Sequence, residues 1–480
     1  MLNMKEKKFV VLWSLLIICI SFIPTIYGYI NTPSDMEFMG LASFTVDNFL
    51  HLSWAQQFKE FGIATNLHTI EQQNNFFNPF HFFIGTLSKL SGLSLIIVYL
   101  LSKTFLNLFL LLLIYYFISL FISDVRFRIY GFMIITFGSG GLGYLFYILR
   151  AITGIWIKSV DVWNIESNIF LTMHIFPHLS LSVVLMLLTF IFLIKSNKHT
   201  FYILYSSFFM ALLILTHPYN VPVTFLVSIL YILIKKDKIV FKLSLFSLFL
   251  IPATLYIINT YVLDMIDSIG KQAVMLSPNP LQYILGWGLI LFFALAYIFK
   301  KQIKLIHPLL LLWVVVTFIL AYFPFQYQRR VVIGVFIPLC ILAVKGFKQY
   351  HITNKFVLIL LFLFIIPSNI AWIMKDTYYL SKPYERDHWN GYNRGISTMY
   401  LYKEEVEALK WLKNNTNKNN IILSYYNIGN IIPYMVGCKV YLGHWTGTIN
   451  SKEKQDLVNS FFNGNIDLKY DYLWYGYEEK

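Results

Sequence analysis

Residues 31–80 read NTPSDMEFMGLASFTVDNFLHLSWAQQFKEFGIATNLHTIEQQNNFFNPF. They form the first polar interval after a hydrophobic N-terminal segment. They hold Asp35, Glu37, Asp47, His51 and Glu71 in a chain with only 24 acidic residues among 480. A tight turn suffices to join two membrane spans. An interval of about 50 residues, rich in acids and aromatics, reads instead as a functional loop at a membrane surface.

The sequence on either side supplies the membrane. Residues 1–8 are a short basic head. The apolar run that follows, ending near Ile30, is about 20 residues long, enough to cross a bilayer. Tyr27 and Tyr29 stand where an interfacial aromatic belt is expected. No small-residue cleavage site follows, so this run reads as an uncleaved first span with a cytoplasmic N-terminus. Further apolar runs lie at 94–122, 128–150, 176–195, 200–217, 220–234, 240–262, 281–299, 305–324, 330–347 and 355–374. The expectation is a polytopic α-helical membrane protein with about eleven transmembrane helices over residues 1–374. Composition agrees: 57% of residues are hydrophobic and 13% charged, and mean hydropathy is +0.61, whereas soluble domains carry about a quarter charged residues.

Counting from a cytoplasmic N-terminus, Arg126/Arg128, Lys195/Lys198, Lys235/Lys236/Lys238, Lys300/Lys301/Lys304 and Lys345/Lys348 all fall on the cytoplasmic side. That is the distribution the positive-inside rule requires. The net charge of +14 therefore records topology and carries no nucleic-acid signal. Cys19, Cys340 and Cys438 lie far apart with no CxxC spacing, so they imply neither a disulfide framework nor a metal cluster.

Loops of the opposite parity carry the acids and histidines. They are the first loop (31–93), residues 150–176 with Asp161, Glu166 and His174, the THPYN turn at 216–220 with His217, Asp264/Asp267, and residues 326–330. Taken singly, such residues are equally at home as ordinary polar helix ends. Arg329-Arg330 stands apart, because two arginines on the outer side oppose the topological bias. Ionisable groups held at a membrane against that bias are candidate functional groups.

From Lys375 the composition turns polar and mixed. KEEVEALKWLKNNT places Val406, Leu409 and Leu412 at helical spacing, and NNIILSYY and VGCKVYLGHW read as strands. Residues 375–480 are expected to form a small extracytoplasmic α/β domain.

Within the first loop the pattern turns helical at Asp47. Leu50, Trp54, Phe58 and Phe61 line one apolar face, Gly62 ends the helix, and Asp47, His51 and Ala55 share another face. Such a helix would lie in the membrane interface with its aromatics down. A carboxylate at its head can deprotonate an acceptor hydroxyl, or it can serve only as the N-cap. Spacing leaves both open. Asp35 and Glu37, in an extended D-x-E, point the same way; they are rival candidates for the catalytic base, and they could hold Mg²⁺ or Mn²⁺, or stand in a solvated turn.

A first span, a long outer loop with acidic residues on interfacial helices, about a dozen spans and an outer C-terminal domain together resemble the GT-C superfamily of membrane glycosyltransferases. Those enzymes use polyprenyl-phosphate-linked sugars. The DNFLHLSWAQQF segment resembles the superfamily's first-loop acidic motif, with Asp47 at the position of its catalytic carboxylate. FGSGGLGYL, DVWNIESNIF with FPHLSLS, THPYN, YQRRVVIGVFIPL, and EEVEALKWLKNN with GNIIPYMVGCKVYLGHW resemble motifs of uncharacterised bacterial members. The chain departs from two branches. It lacks the adjacent Asp-Glu pair of the protein mannosyltransferases and any WWDYG-like motif of an oligosaccharyltransferase.

The resemblance implies attack of an acceptor hydroxyl on the anomeric carbon, with departure of polyprenyl phosphate and Asp47 as base. Arg329 and Arg330 would then hold the leaving phosphate, since an arginine fork suits that group best. His217 could donate to phosphate or acceptor. His51, Glu166 and His174 are further substrate contacts, and His444, in GHW, is a candidate acceptor contact. The implied partners are a polyprenyl-phosphate-sugar donor, a cell-envelope acceptor and the lipid bilayer of the cell membrane. A lipid-linked glycan flippase remains an alternative, although no internal repeat is evident. An O-antigen polymerase or ligase is another, although its large outer loop would come late between spans.

Overall fold

The computed structural model describes residues 4–71, 74–155, 157–262, 274–300, 306–352, 354–384, 398–477 and 479. Asp264, Asp267, Lys301 and Lys304 lie outside the described residues. The chain divides into two compact units. One comprises Met1–Phe22, Lys103–Leu255 and Met275–Met374, and the other Ile23–Ser102, Tyr256–Val274 and Lys375–Lys480. The first loop thus groups with the C-terminal residues.

Among the described residues, 8 helices are long and apolar enough to cross a membrane, beginning with α1 (Met4–Ile30), and the shorter apolar helices Tyr202–Thr216 and Pro308–Ala321 cover two further runs. The run at 128–150 is the exception. Expected as one span, it forms two helices of 13 and 11 residues, Val125–Phe137 and Gly143–Thr153. The break falls in FGSGGLGYL, and packing explains it. A Cβ on Gly140 would lie 2.2 Å from the carbonyl oxygen of Gly286. Gly288 there leaves the helical region (φ 30°) within the helix Pro280–Lys300, so two glycine-bearing backbones touch. Leu289 N donates to the freed Gly140 carbonyl at 3.2 Å, and Asn369 Nδ2 to that of Phe137 at 2.9 Å. A buried Asp161 carboxylate, bonded by the hydroxyls of Ser159 and Ser368, secures the neighbouring turn. Burial pushes its carboxyl above the usual carboxylate range.

The second unit contains the first loop. Strand β1 (Met36–Phe38) pairs antiparallel with β2 (Tyr400–Tyr402), Glu37 opposite Leu401. Helix α2 (Thr45–Phe61) ends at Gly62, whose positive φ of 74° and N–H to Phe58 O close the last turn as its sequence predicts. Helix α3 (Pro79–Ser91) packs on α2 through Gly85, where a Cβ would lie 2.4 Å from Ala55 O. Beyond β2, α4 (Lys403–Asn415) buries the expected Val406, Leu409 and Leu412. Strands β3 (Ile421–Leu423), β4 (Lys439–Val440) and β5 (Tyr472–Leu473) form a parallel sheet in the order β4-β3-β5. Its crossovers carry α5 (Tyr426–Met435) and α6 (Ser451–Phe462), as parallel pairing demands.

The core of this sheet includes Leu423, Tyr426, Tyr441, Leu442 and Val458, and Val46 of α2 packs against it. That packing corrects the expectation of an interfacial helix with one aromatic face down. Phe49, Leu52, Ser53 and Ala55 are buried along with Leu50 and Phe58, while Phe61 is exposed. α2 is an interior helix of this unit, flanked by α3 and α5.

Candidate active site

The start of α2 decides how Asp47 is used. Phe44 occupies the N-cap position in the left-handed region (φ 47°), and no side chain caps the helix there. Asn48 secures the turn instead. Its amide donates to Ser43 O at 3.0 Å and Phe44 O at 3.1 Å, and its Oδ1 accepts the Tyr99 hydroxyl at 2.7 Å. The N-cap reading of Asp47 therefore gives way. Its carboxylate, with the side chain 35% exposed, lies 2.9 Å from His444 Nε2.

His444 is buried. Its Nδ1 receives the backbone N–H of Thr446 at 3.2 Å and lies 2.9 Å from the Thr446 hydroxyl. A backbone N–H can only donate, so Nδ1 is an acceptor and the proton of the neutral ring sits on Nε2, facing Asp47. In a Ser-His-Asp triad the carboxylate orients the ring through one nitrogen and leaves the other open as base. Here the second nitrogen is filled, so the imidazole cannot serve as the base.

The sequence motif that includes His444 thus supplies a partner for Asp47, where an acceptor contact was expected. His68 and Thr446 were not anticipated. Thr446, two residues beyond His444 in GHWTGT, had at least a local signal, whereas His68 in NLHTIE had none, because only long-range pairing gives it a role. Leu67 O accepts from Val440 N at 3.1 Å and Asn66 Nδ2 donates to Gly447 O at 2.6 Å, which ties residues 66–69 to the segment after β4. Glu71, on the same stretch, accepts from Lys454 Nζ at 2.7 and 2.8 Å. Although burial opposes it, the Lys454 ammonium and the Thr69 hydroxyl hold the Glu71 carboxyl below the usual range.

His51 lies one turn beyond Asp47. Its Nδ1 is 3.0 Å from Nε2 of the buried His81 on α3, with the rings 10° from parallel and Trp54 edge-on to both. Burial, with a smaller contribution from His51, pushes His81 well below the usual histidine range. Burial and then His444 do the same to His68.

Asp35 and Glu37 are exposed. Asp35 Oδ1 accepts the Tyr384 hydroxyl at 3.0 Å, and Glu37 lies on β1. Among the described residues no group of three or more His, Cys, Asp or Glu gathers to hold a metal ion. No chemical step is assigned to a cation.

The other unit holds the arginines. Arg329 Nε lies 3.6 Å from Glu166 Oε2, and its guanidinium is 5.4 Å from the Trp163 ring. Arg330 sits 4.4 Å over Tyr219 and directs Nε at Met275 Sδ, 3.0 Å away. Among the described residues Arg330 has no carboxylate at ion-pair distance. His217 joins this cluster through Tyr219, ring centroids 5.3 Å apart. His174 is held elsewhere. Its Nδ1 lies 3.0 Å from Ser21 O and its ring stacks on Phe170.

No protein-family model matches the chain, and no curated protein matches it significantly. Among solved structures, it is similar to the oligosaccharyltransferase of Archaeoglobus fulgidus. The structure of that protein tethered to an acceptor peptide containing the NVT sequon aligns at a TM-score of 0.47 and 12% identity, over 94% of this chain and 68% of that one. Its complex with Zn and sulfate aligns at 0.48 and 14% identity, over 90% of this chain and 62% of the other. At such identity no residue role transfers.

Proposed function

We propose that this chain is a membrane glycosyltransferase that moves a sugar from a polyprenyl-phosphate-linked donor to a hydroxyl of a cell-envelope acceptor. The observation that carries the reading is the Asp47–His444 pair, a partly exposed carboxylate held at 2.9 Å by a buried imidazole whose other nitrogen is filled. The acceptor hydroxyl gives its proton to Asp47, and its oxygen attacks the anomeric carbon. The bond from that carbon to the phosphate oxygen breaks, and the electron pair leaves on polyprenyl phosphate. Negative charge grows on the phosphate as the bond lengthens, so cations there stabilise the transition state more than the ground state.

Arg330 is suited to that task as a guanidinium fork seated over Tyr219, while Arg329 is oriented by Glu166. His217, packed against Tyr219, is a secondary donor in this reading. A cytoplasmic N-terminus and an outer C-terminal segment complete the proposal. The test is to incubate the purified protein with a panel of polyprenyl-phosphate sugars and score free polyprenyl phosphate. Release with at least one donor, dependent on an added envelope acceptor, is expected. No release with any donor, alongside movement of intact lipid-linked glycan across vesicles, would overturn the reading in favour of a flippase.

A further inference from the structure

The hydrogen bonds around Asp47 close into a ring that begins and ends on α2. The Ser53 hydroxyl donates to Leu50 O at 2.8 Å, so its oxygen is left to accept, and His68 Nε2 lies 3.4 Å from it. His68 Nδ1 accepts the backbone N–H of His444 at 3.2 Å, which fixes His68 as the Nε2–H tautomer. His444 returns to α2 through its own Nε2–H, donated to Asp47 Oδ1 at 2.9 Å. Asp47 and Ser53 are less than two helical turns apart. Two backbone N–H groups, those of His444 and Thr446, thus set the direction of every bond in the ring.

Further bonds brace the segment that carries His444. The Thr448 hydroxyl donates to His68 O at 2.6 Å and accepts Gly443 N at 2.9 Å, and Gly447 N and Thr448 N both donate to His444 O. The fit leaves no room for an added side chain. A Cβ on Gly443 would lie 2.8 Å from His68 Nδ1, and one on Gly447 2.9 Å from His68 Cβ.

We propose that His444 is a positioning residue for Asp47 and that His68 positions His444, so that the chain's C-terminal segment fixes the orientation of the first-loop carboxylate. The inference rests on the reading of Asp47 as the base. It adds that the base is competent only when the segment after β4 is docked on residues 66–69. Neither histidine moves a proton in the reaction, because each ring has one nitrogen bonded to a backbone N–H and the other directed back to α2.

The full-length protein in detergent, with a short-chain polyprenyl-phosphate hexose as probe, provides the test. Positioning acts on the chemical step, so His444→Ala should lower kcat by about 10²-fold and leave the KM for donor nearly unchanged. His444→Gln, whose amide N–H can reach Asp47, should recover most of that loss at the same melting temperature. His68→Asn, which keeps an acceptor for the His444 N–H, should stay closer to wild type than His68→Ala. Wild-type kcat in His444→Ala, or a folded His444→Gln as poor as the alanine variant, overturns the proposal.

A second readout does not need turnover. In spectra of protein labelled with ¹⁵N-histidine, His444 should show one neutral tautomer, protonated on Nε2, whose signal shifts on Asp47→Ala. A His444 signal unmoved by Asp47→Ala overturns the positioning role whether or not the probe is consumed. If the shift occurs but Asp47→Asn remains fully active, the contact stands and the base assignment alone fails.

Discussion

Acid should weaken the unit that contains α2, and the effect is traceable to two histidines. His68 and His81 are both buried, and burial keeps both well below the usual histidine value in the folded chain. In the unfolded chain each takes up a proton near pH 6.5. As pH falls below that value, the unfolded state binds protons that the folded state does not, so stability falls with falling pH. The contribution is fully present above about pH 7 and is lost progressively as pH drops from 6.5 toward the depressed folded values. Below pH 6.5 each such group lowers stability by at most about 1.4 kcal/mol per pH unit, until its depressed folded value is reached. The assay is thermal unfolding of the full-length protein at pH 8 and pH 5.5, beside His81→Gln. The melting temperature should drop clearly at pH 5.5 in wild type, and the drop should be smaller in the variant. A melting temperature that is flat or higher at pH 5.5, or an unchanged drop in His81→Gln, would refute the reasoning.

Three further outcomes are expected. Gly85→Ala forces a methyl group to 2.4 Å from Ala55 O and so drives α2 and α3 apart, at a stability loss of about 1–3 kcal/mol measurable by denaturation. Arg330→Lys keeps the charge but loses the planar fork over Tyr219, and donor turnover should fall roughly tenfold or more, with unaltered turnover dismissing the phosphate role. A reporter fused after Lys480 should be active only outside the cytoplasm, and strong cytoplasmic activity would reverse the proposed topology.

Hydropathy and local periodicity made the helical membrane architecture legible, along with the Gly62 stop and the α4 helix, because each depends on neighbours within one or two turns. The break at 138–142 was visible as FGSGG, yet the apolar residues around it mask the glycines. Their reason lies in contact with Gly286 and Gly288, far along the chain. The pairing of Glu37 with Leu401 had no local signature at all. At the candidate site, Asp47 and His444 could each be singled out from sequence, but not their contact. Spacing also kept the N-cap alternative alive for Asp47, since the left-handed Phe44 that displaces it is an unusual conformation for an aromatic residue. The Glu166–Arg329 pairing likewise joins two candidates that sequence placed in separate loops.

The most direct test of the account is the turnover of Asp47→Asn. Asparagine preserves size and can still meet the Nε2–H of His444 through its carbonyl oxygen, but it cannot take a proton from an acceptor hydroxyl. The account predicts a variant that expresses, melts and binds donor like wild type, with turnover lowered by roughly 10²–10⁴-fold, while Asp35→Asn and Glu37→Gln remain active. Near-normal turnover in Asp47→Asn would contradict it.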